Sequence, residues 1–218
     1  MVDQRAVPFL CNLISHKDHQ LKRQICACLG QVAKHRPELA DEVVNNNIFP
    51  RIFSLLKDQD ALVRKNAATC IREIAKHSSE LANKICENGG NAALVEYISD
   101  SKGNARLPGI MTLGYIASFD EHNAMAIINS KGIEPLKDAL MNEKEDYMKA
   151  SAAWTLGRLG HHSYNHSKAM AEADALSNLL TVYKSADSSG DLKNKTKQAL
   201  KNILVACTVL DALEPLIS

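Results

Sequence analysis

Aromatic residues are scarce in this 218-residue chain, at 5% with a single Trp, and it holds only ten Gly and six Pro. An all-β domain, whose many turns consume Gly and Pro, is poorly served by that composition, while Ala, Leu, Ile, Lys and Asn dominate and favour helices. Charge of one sign is also missing. Lys plus Arg total 26 against 25 Asp plus Glu, a net charge of +1, so no cation excess drives nucleic-acid binding and no strongly acidic partner is demanded. Long apolar runs are absent too: stretches such as Ile203 to Cys207 are far too short to span a bilayer. The six Cys show no C-x-x-C spacing and no half of a zinc framework, and five sit among apolar helix residues, where free thiols pack as small hydrophobes. A reducing compartment is the expectation, and the start Met1 to Arg5 lacks an apolar signal segment, which points to the cytosol.

What the chain does have is a period. Ile71-Arg-Glu-Ile-Ala-Lys-His77 echoes Leu29-Gly-Gln-Val-Ala-Lys-His35, and both copies continue into Glu-Leu-Ala. Leu113-Gly-Tyr-Ile-Ala117 follows in register, then Leu156-Gly-Arg-Leu-Gly160 one residue later and a looser Ala199 to Leu204, so the repeat is about 42 residues long. Between these phrases runs a second element that opens near Gly or Asn, as in Ile48 to Leu56, Gly90 to Ile98 and Gly132 to Leu140. A shorter element, Glu80 to Glu87 or Asn123 to Asn129, precedes each turn. Each unit reads as short helix, glycine turn, middle helix and longer third helix. Such a unit cannot bury its apolar surface alone, so units must stack into a continuous core. Pro108 falls in the first turns of its helix, and a local kink is expected there.

Three helices per unit, a Gly before the middle one and a long third helix resemble armadillo repeats over nearly the whole chain, with two-helix HEAT repeats second. The fold class is therefore all-α, an armadillo-repeat right-handed superhelix (α-solenoid) of about five repeats of three helices. One domain is expected over residues 1–218, with repeats near 6–47, 48–90, 91–132, 133–174 and 175–218 and an incomplete first unit. In armadillo proteins the third helices line a concave groove, and in nuclear-import receptors a Trp and an Asn four residues later clamp basic peptides. Aligned on that pattern, Trp154 stands at the Trp position but Arg158 replaces Asn, and the other copies offer Ala27 with Gln31, Thr69 with Glu73 and Met111 with Tyr115. One Trp and no Asn cannot build the ladder.

Lys65 to His77, Lys102 to Tyr115, Ala152 to Gly160 and Leu210 to Leu216 are similar in wording to the armadillo proteins of the axonemal central pair, the sperm-associated antigen six family. That resemblance implies a non-enzymatic scaffold of the ciliary and flagellar central apparatus, needed for motility and located in the cytoplasm and cytoskeleton. It implies protein partners, central-apparatus proteins and microtubules among them, with no nucleic acid, no membrane, no metal and no cofactor. A soluble armadillo adaptor or cargo receptor that binds an extended peptide is the alternative from another class.

The register aligns a column of side chains on the third helices: Arg23, Ala27 and Gln31; Lys65, Thr69 and Glu73; Leu107, Met111 and Tyr115; Ala150, Trp154 and Arg158. The partner-binding residues expected on this face are Arg23, Gln31, Lys65, Thr69, Glu73, Leu107, Met111, Tyr115, Trp154 and Arg158. Their mix of both charges with an apolar middle suits an amphipathic helix or strand. The remaining candidates read as structural. His161, His162 and His166 fall at a turn and are expected to be solvated, while His35 and His77 lie near helix C-termini where cations suit the dipole. Glu143 with Glu145 and Asp187 with Asp191 read as loop acids without a shaped pocket, and Lys193, Lys195, Lys197 and Lys201 as a solvated face. No catalytic phrase or phosphate loop occurs. The end face carrying Val7, Phe9, Leu10 and Leu13 is expected to be open, with self-association through uncapped ends as one remedy.

Overall fold

The structure is a computed structural model that describes residues 6–206. Expectations for Met1 to Arg5, for a last short helix over Cys207 to Ser218 and for the phrase Leu210 to Leu216 lie outside the described residues. Within them the chain forms fourteen α-helices and one 3-10 turn, with no strand. Five are third helices: α2 (His19–His35), α5 (Ala61–Ala75), α8 (Leu107–Phe119), α11 (Asp146–Gly160) and α14 (Gly190–Leu204). Short helices α3 (Pro37–Asn45), α6 (Ser79–Glu87), α9 (Glu121–Asn129) and α12 (Tyr164–Glu172) follow the first four of these. The middle helices are α1 (Ala6–Leu13), α4 (Phe49–Leu55), α7 (Gly90–Asp100), α10 (Ile133–Asn142) and α13 (Ala175–Lys184).

Polar caps set where the helices begin. The Asp18 carboxylate accepts the Gln20 N–H at 2.7 Å to start α2, and Asp60 accepts those of Leu62 and Val63 at 2.9 and 3.0 Å to start α5. Ser78, Asp120 and Ser189 do the same for α6, α9 and α14, and each such cap contributes about 1 kcal/mol. Pro37 sits in the first turn of α3, where its missing N–H costs nothing. Pro108 likewise lies in the first turn of α8. Ahead of it the chain makes a separate 3-10 turn at Gly103–Ala105, and the α-helix starts at Leu107.

The turn between short and middle helix recurs in left-handed backbone at Asn47 (φ 52°), Gly89 (φ 81°), Lys131 (φ 64°) and Asp174 (φ 56°). Only one of the four is Gly, so the conformation is imposed by the packing of the units and not by glycine chemistry alone. In Gly90 and Gly132, one residue further on, what matters is space: a Cβ on either would collide with Ile85 or Ile127 of the preceding short helix.

The core runs without interruption along the stack, because each long helix packs against the next, α2 on α5, α5 on α8, α8 on α11 and α11 on α14. Leu29, Ile71, Leu113 and Leu156, the anchors of the recurring phrase, are all fully buried, and burying each such side chain is worth roughly 1.5–3 kcal/mol. Salt bridges stitch neighbouring units: Lys22 on α2 reaches Asp58 at 2.5 Å, and Arg23 engages Asp60, the cap of α5. At the N-terminal face the expectation of an open apolar surface fails in part. Val7 is fully buried because α1 packs against both α2 and α3, while Leu10 and Leu13 are half-buried and only Phe9 stands out, at 63% exposed.

Candidate partner-binding face

The five long helices stand side by side, and the predicted column distributes itself over them unevenly. Gln31, with Ala27, Asn66, Thr69 and Glu73, lines a pocket of about 170 Å³ between α2 and α5. Met111 and Trp154 line a second, of about 260 Å³, spanning α8, α11 and α14. Arg23, Lys65, Leu107, Tyr115 and Arg158 are half-buried and border neither pocket. Arg23 is committed to Asp60, its Nε donating at 2.9 Å, and that guanidinium together with the Val63 N–H holds the Asp60 carboxyl well below the usual carboxylate range. Glu73 is only 5% exposed. Burial pushes its acid strength down, but hydrogen bonds from Lys76 and Arg72 more than offset this and leave its pKa lowered, so it is an ion already matched inside the row.

Trp154 is the centre of the second pocket, and the repeat itself creates its seat. Gly114 of the Leu-Gly phrase lies directly under the indole, where a Cβ would overlap the six-membered ring. Tyr115 packs edge-on to the indole at 5.5 Å between ring centroids and an angle of 71°, while the Arg158 guanidinium lies over it at 5.8 Å. Arg158 Nε is buried and has no hydrogen-bond partner. Thr155, one residue after the Trp, ties α11 to α8 by donating to the Ile110 carbonyl at 3.0 Å and fixes the rotation of the helix.

Sequence reasoning missed several neighbours. Tyr147 and Ser151 on α11 complete the rim of the Trp154 pocket, with Asp191 and Lys195 on α14. Asp191 was expected in a loop without a pocket, but α14 starts at Gly190 and places it, still exposed, on its first turn at the edge of this pocket. Tyr147 lies one turn ahead of the column residue Ala150, a spacing that could have flagged it; nothing local flags the α14 pair, because only the stacking of α14 on α11 brings them near.

A larger correction concerns Glu143 and Glu145, which do border a shaped pocket of about 590 Å³ with Lys102, Arg106 and Asp138. Arg106 is 1% exposed. It bridges Asp138 at 2.7 Å and Glu143 at 3.1 Å, and its Nε donates to the Ile98 carbonyl at 2.9 Å. Glu143 also accepts the Gly103 N–H at 3.1 Å, so the clasp locks the 3-10 turn of one unit to the middle helix of the next. The Asp138 carboxyl is held well below the usual range by hydrogen bonds from Asn142, Lys102 and Arg106. An arginine satisfied on all sides is an internal fastener, not a ligand group.

The histidine cluster is not a solvated turn either. His166 is 1% exposed and its Nε2 meets the Glu121 carbonyl at 3.0 Å, while His162 Nε2 meets the Ala117 carbonyl at 2.6 Å. His77 makes the same link one unit earlier, to the Ala33 carbonyl at 2.6 Å. The His77 and His162 rings meet carbonyls in the last turn of the preceding long helix, and His166 meets the carbonyl of the first residue of the short helix α9, roles that require the neighbouring unit and cannot be read within one helix. Burial, helped by the nearby His161 and His166, leaves the His162 pKa lowered even though the hydrogen bond to the Ala117 carbonyl raises it. Among the cysteines, Cys11, Cys26 and Cys70 are buried as expected, but Cys28 is exposed because it falls on the outer side of α2. Among the described residues no three His, Cys, Asp or Glu side chains are placed to hold a metal, and no helix is long and apolar enough to cross a membrane.

Against this geometry the relatives can be weighed. An 80-residue segment is 51% identical to sperm-associated antigen 6 of Mus musculus and, over the same length, 50% identical to that of Homo sapiens. Over that segment the chain is similar to sperm-associated antigen 6. The matched segment is 37% of this chain and 16% of those relatives' length. The family model described as PIK3R4-like, middle domain, matches residues 1–106. A designed armadillo repeat protein superposes with a TM-score of 0.87 at 20% identity, covering 97% of this chain and 87% of the other. A second designed armadillo protein, in complex with the peptide (KR)4, gives 0.86 at 19% identity over 91% of this chain and 82% of the other. At such identities the likeness is one of fold, that of an armadillo α-solenoid.

Proposed function

We propose that the chain is a non-catalytic interaction module of the motile axoneme: one domain over residues 1–218, built of five repeats, that docks protein partners along its row of long helices. The carrying observation is the 51% identity over 80 residues to sperm-associated antigen 6. The resemblance of its repeats to central-pair armadillo proteins supports the finer reading, a scaffold in the ciliary and flagellar central apparatus with central-apparatus proteins and microtubules as partners. The half-buried Trp154 between Met111 and Tyr147 supports the row as the docking side, since a partly exposed indole in a pocket is a strong anchor.

A second reading, a soluble carrier of extended peptides, is favoured by one observation, the fold shared with the designed protein that holds (KR)4. The row itself speaks against a basic cargo, with a single Trp and Arg158 where an Asn would stand. Expression of the tagged protein in a flagellated cell separates the two. A central-apparatus module stays with demembranated axonemes after salt extraction; a carrier washes out and binds basic peptides in solution. Trp154→Ala with Tyr115→Ala is expected to abolish retention at unchanged helicity, and full retention of the folded double variant removes the row from the mechanism.

A further inference from the structure

The charges of the long-helix row are arranged asymmetrically. Of its acids, Asp60 is taken up by Arg23 and Glu73 by Arg72 and Lys76, while Asp146 on α11 accepts the Ser189 N–H at 2.7 Å. Its cations are not used up in return. Lys34 beside the first pocket, Lys65 on α5, Arg158 over the indole and Lys195 at the rim of the second pocket have no carboxylate within 4.0 Å among the described residues. Arg158 adds a buried Nε donor with no acceptor. The one carboxylate facing the second pocket without an ion pair is Asp191, a single turn ahead of Lys195 on α14. The row therefore presents spare positive charge from α2 to α14 around one apolar recess, although the whole chain is nearly neutral.

We infer that the segment bound along this row is an acidic stretch of a protein partner, carrying one bulky apolar side chain that seats between Met111, Tyr147 and Trp154 while its carboxylates meet Lys65, Arg158 and Lys195. This rests on the reading of the row as the docking side and assigns it a partner chemistry opposite in sign to that of the (KR)4 peptide bound by the structurally similar designed protein. Opposite potentials across an interface favour encounter and disfavour wrong partners, whereas like charges placed face to face repel. An arginine-rich or lysine-rich strand laid here would meet four uncompensated cations, and the indole face it would use for stacking is already covered by Arg158.

The experiment is a titration of the full chain with three fluorescein-labelled octapeptides at low and high salt: alternating Glu-Leu, all-Glu, and (KR)4. The Glu-Leu peptide is expected to bind at least tenfold more tightly than (KR)4 at low salt and more tightly than all-Glu, with affinity falling as salt rises. Trp154→Ala is expected to weaken Glu-Leu binding about tenfold. Lys65→Glu with Lys195→Glu, at positions with no ion pair to lose, is expected to reverse the preference toward (KR)4 while circular dichroism stays unchanged. Equal or tighter binding of (KR)4 by the native chain overturns the proposal, as do an unaltered preference in the folded charge-reversal variant and failure of all three peptides to bind. Axonemal retention that depends on Trp154 without any preference for the acidic peptide sinks this inference and leaves the docking side standing. Acidic-peptide binding in a chain that washes out of axonemes leaves this inference and the docking side standing and sinks the axonemal reading.

Discussion

Removal of the Arg106 guanidinium tests the architecture most severely, because this side chain is 1% exposed and ties three parts of the chain together. Arg106→Ala strips the charge-assisted bond to Glu143 at 3.1 Å, the pair with Asp138 at 2.7 Å and the donations to the carbonyls of Ile98 at 2.9 Å and Pro135 at 3.3 Å. The two carboxylates are not equally stranded. Asp138 is 35% exposed and keeps Lys102 at 2.9 Å, while Glu143 is 9% exposed and keeps only the Gly103 N–H and water. Loss of one partner from a buried ion pair costs about 3–5 kcal/mol, and the surviving contacts of Asp138 put the expected loss near the lower end, about 3 kcal/mol. Urea denaturation followed by circular dichroism at neutral pH reads this as a lowered midpoint. Since a stack of repeats can melt in parts, amide hydrogen exchange should also localise faster opening to α7, α8 and α10. Arg106→Met, which keeps the stem and drops the charge, should be destabilised as well, and Glu143→Gln added to it should recover part of the loss because the stranded charge is then gone. A loss below about 1 kcal/mol for Arg106→Ala, with no change in exchange, refutes the view that the clasp joins the two units.

Two further outcomes follow from the same reasoning. Gly114→Ala drives a methyl into the indole of Trp154 and should cost about 1–3 kcal/mol; since Trp154 is the only Trp, a shift in its fluorescence reports the displaced ring, and an unshifted spectrum at native stability contradicts the seating. His162 has a pKa below its ordinary 6.5 in the folded chain because burial disfavours the charged ring, so the unfolded chain takes up the proton first. Its contribution is therefore complete above pH 6.5 and is lost as pH falls below it; the urea midpoint should drop between pH 7 and pH 5.5, and His162→Gln should flatten that slope. An equally steep slope in the variant assigns the pH dependence to other groups.

Much of the fold was legible because it is local and repeated. The 42-residue echo of Leu29 to His35 in Ile71 to His77 set the unit, and the Gly-opened and shorter elements between the copies set its three-helix order. The column through Ala27, Thr69, Met111 and Trp154 follows from the same register, since residues four apart share a helix face. Arg106 escaped notice because nothing in Gly103-Asn-Ala-Arg106 says that two acids some 30–40 positions later will close on it. His162 and His166 looked solvated for the same reason: their acceptors, the carbonyls of Ala117 and Glu121, belong to the preceding unit.

The order of residues thus determined by itself the helical class, the length of the unit and which side of each long helix is apolar, because hydrophobic period, capping and turn chemistry all act within a few residues of one another. Only the stacked structure decided which charges are consumed and which are left over, since an ion pair or a hydrogen bond between Arg23 and Asp60, or His77 and Ala33, exists only once two units 37 or 44 residues apart are pressed together. That selection, Trp154 seated over Gly114 with Arg158 and Lys195 left unpaired beside it, is what gives the row a chemistry of its own.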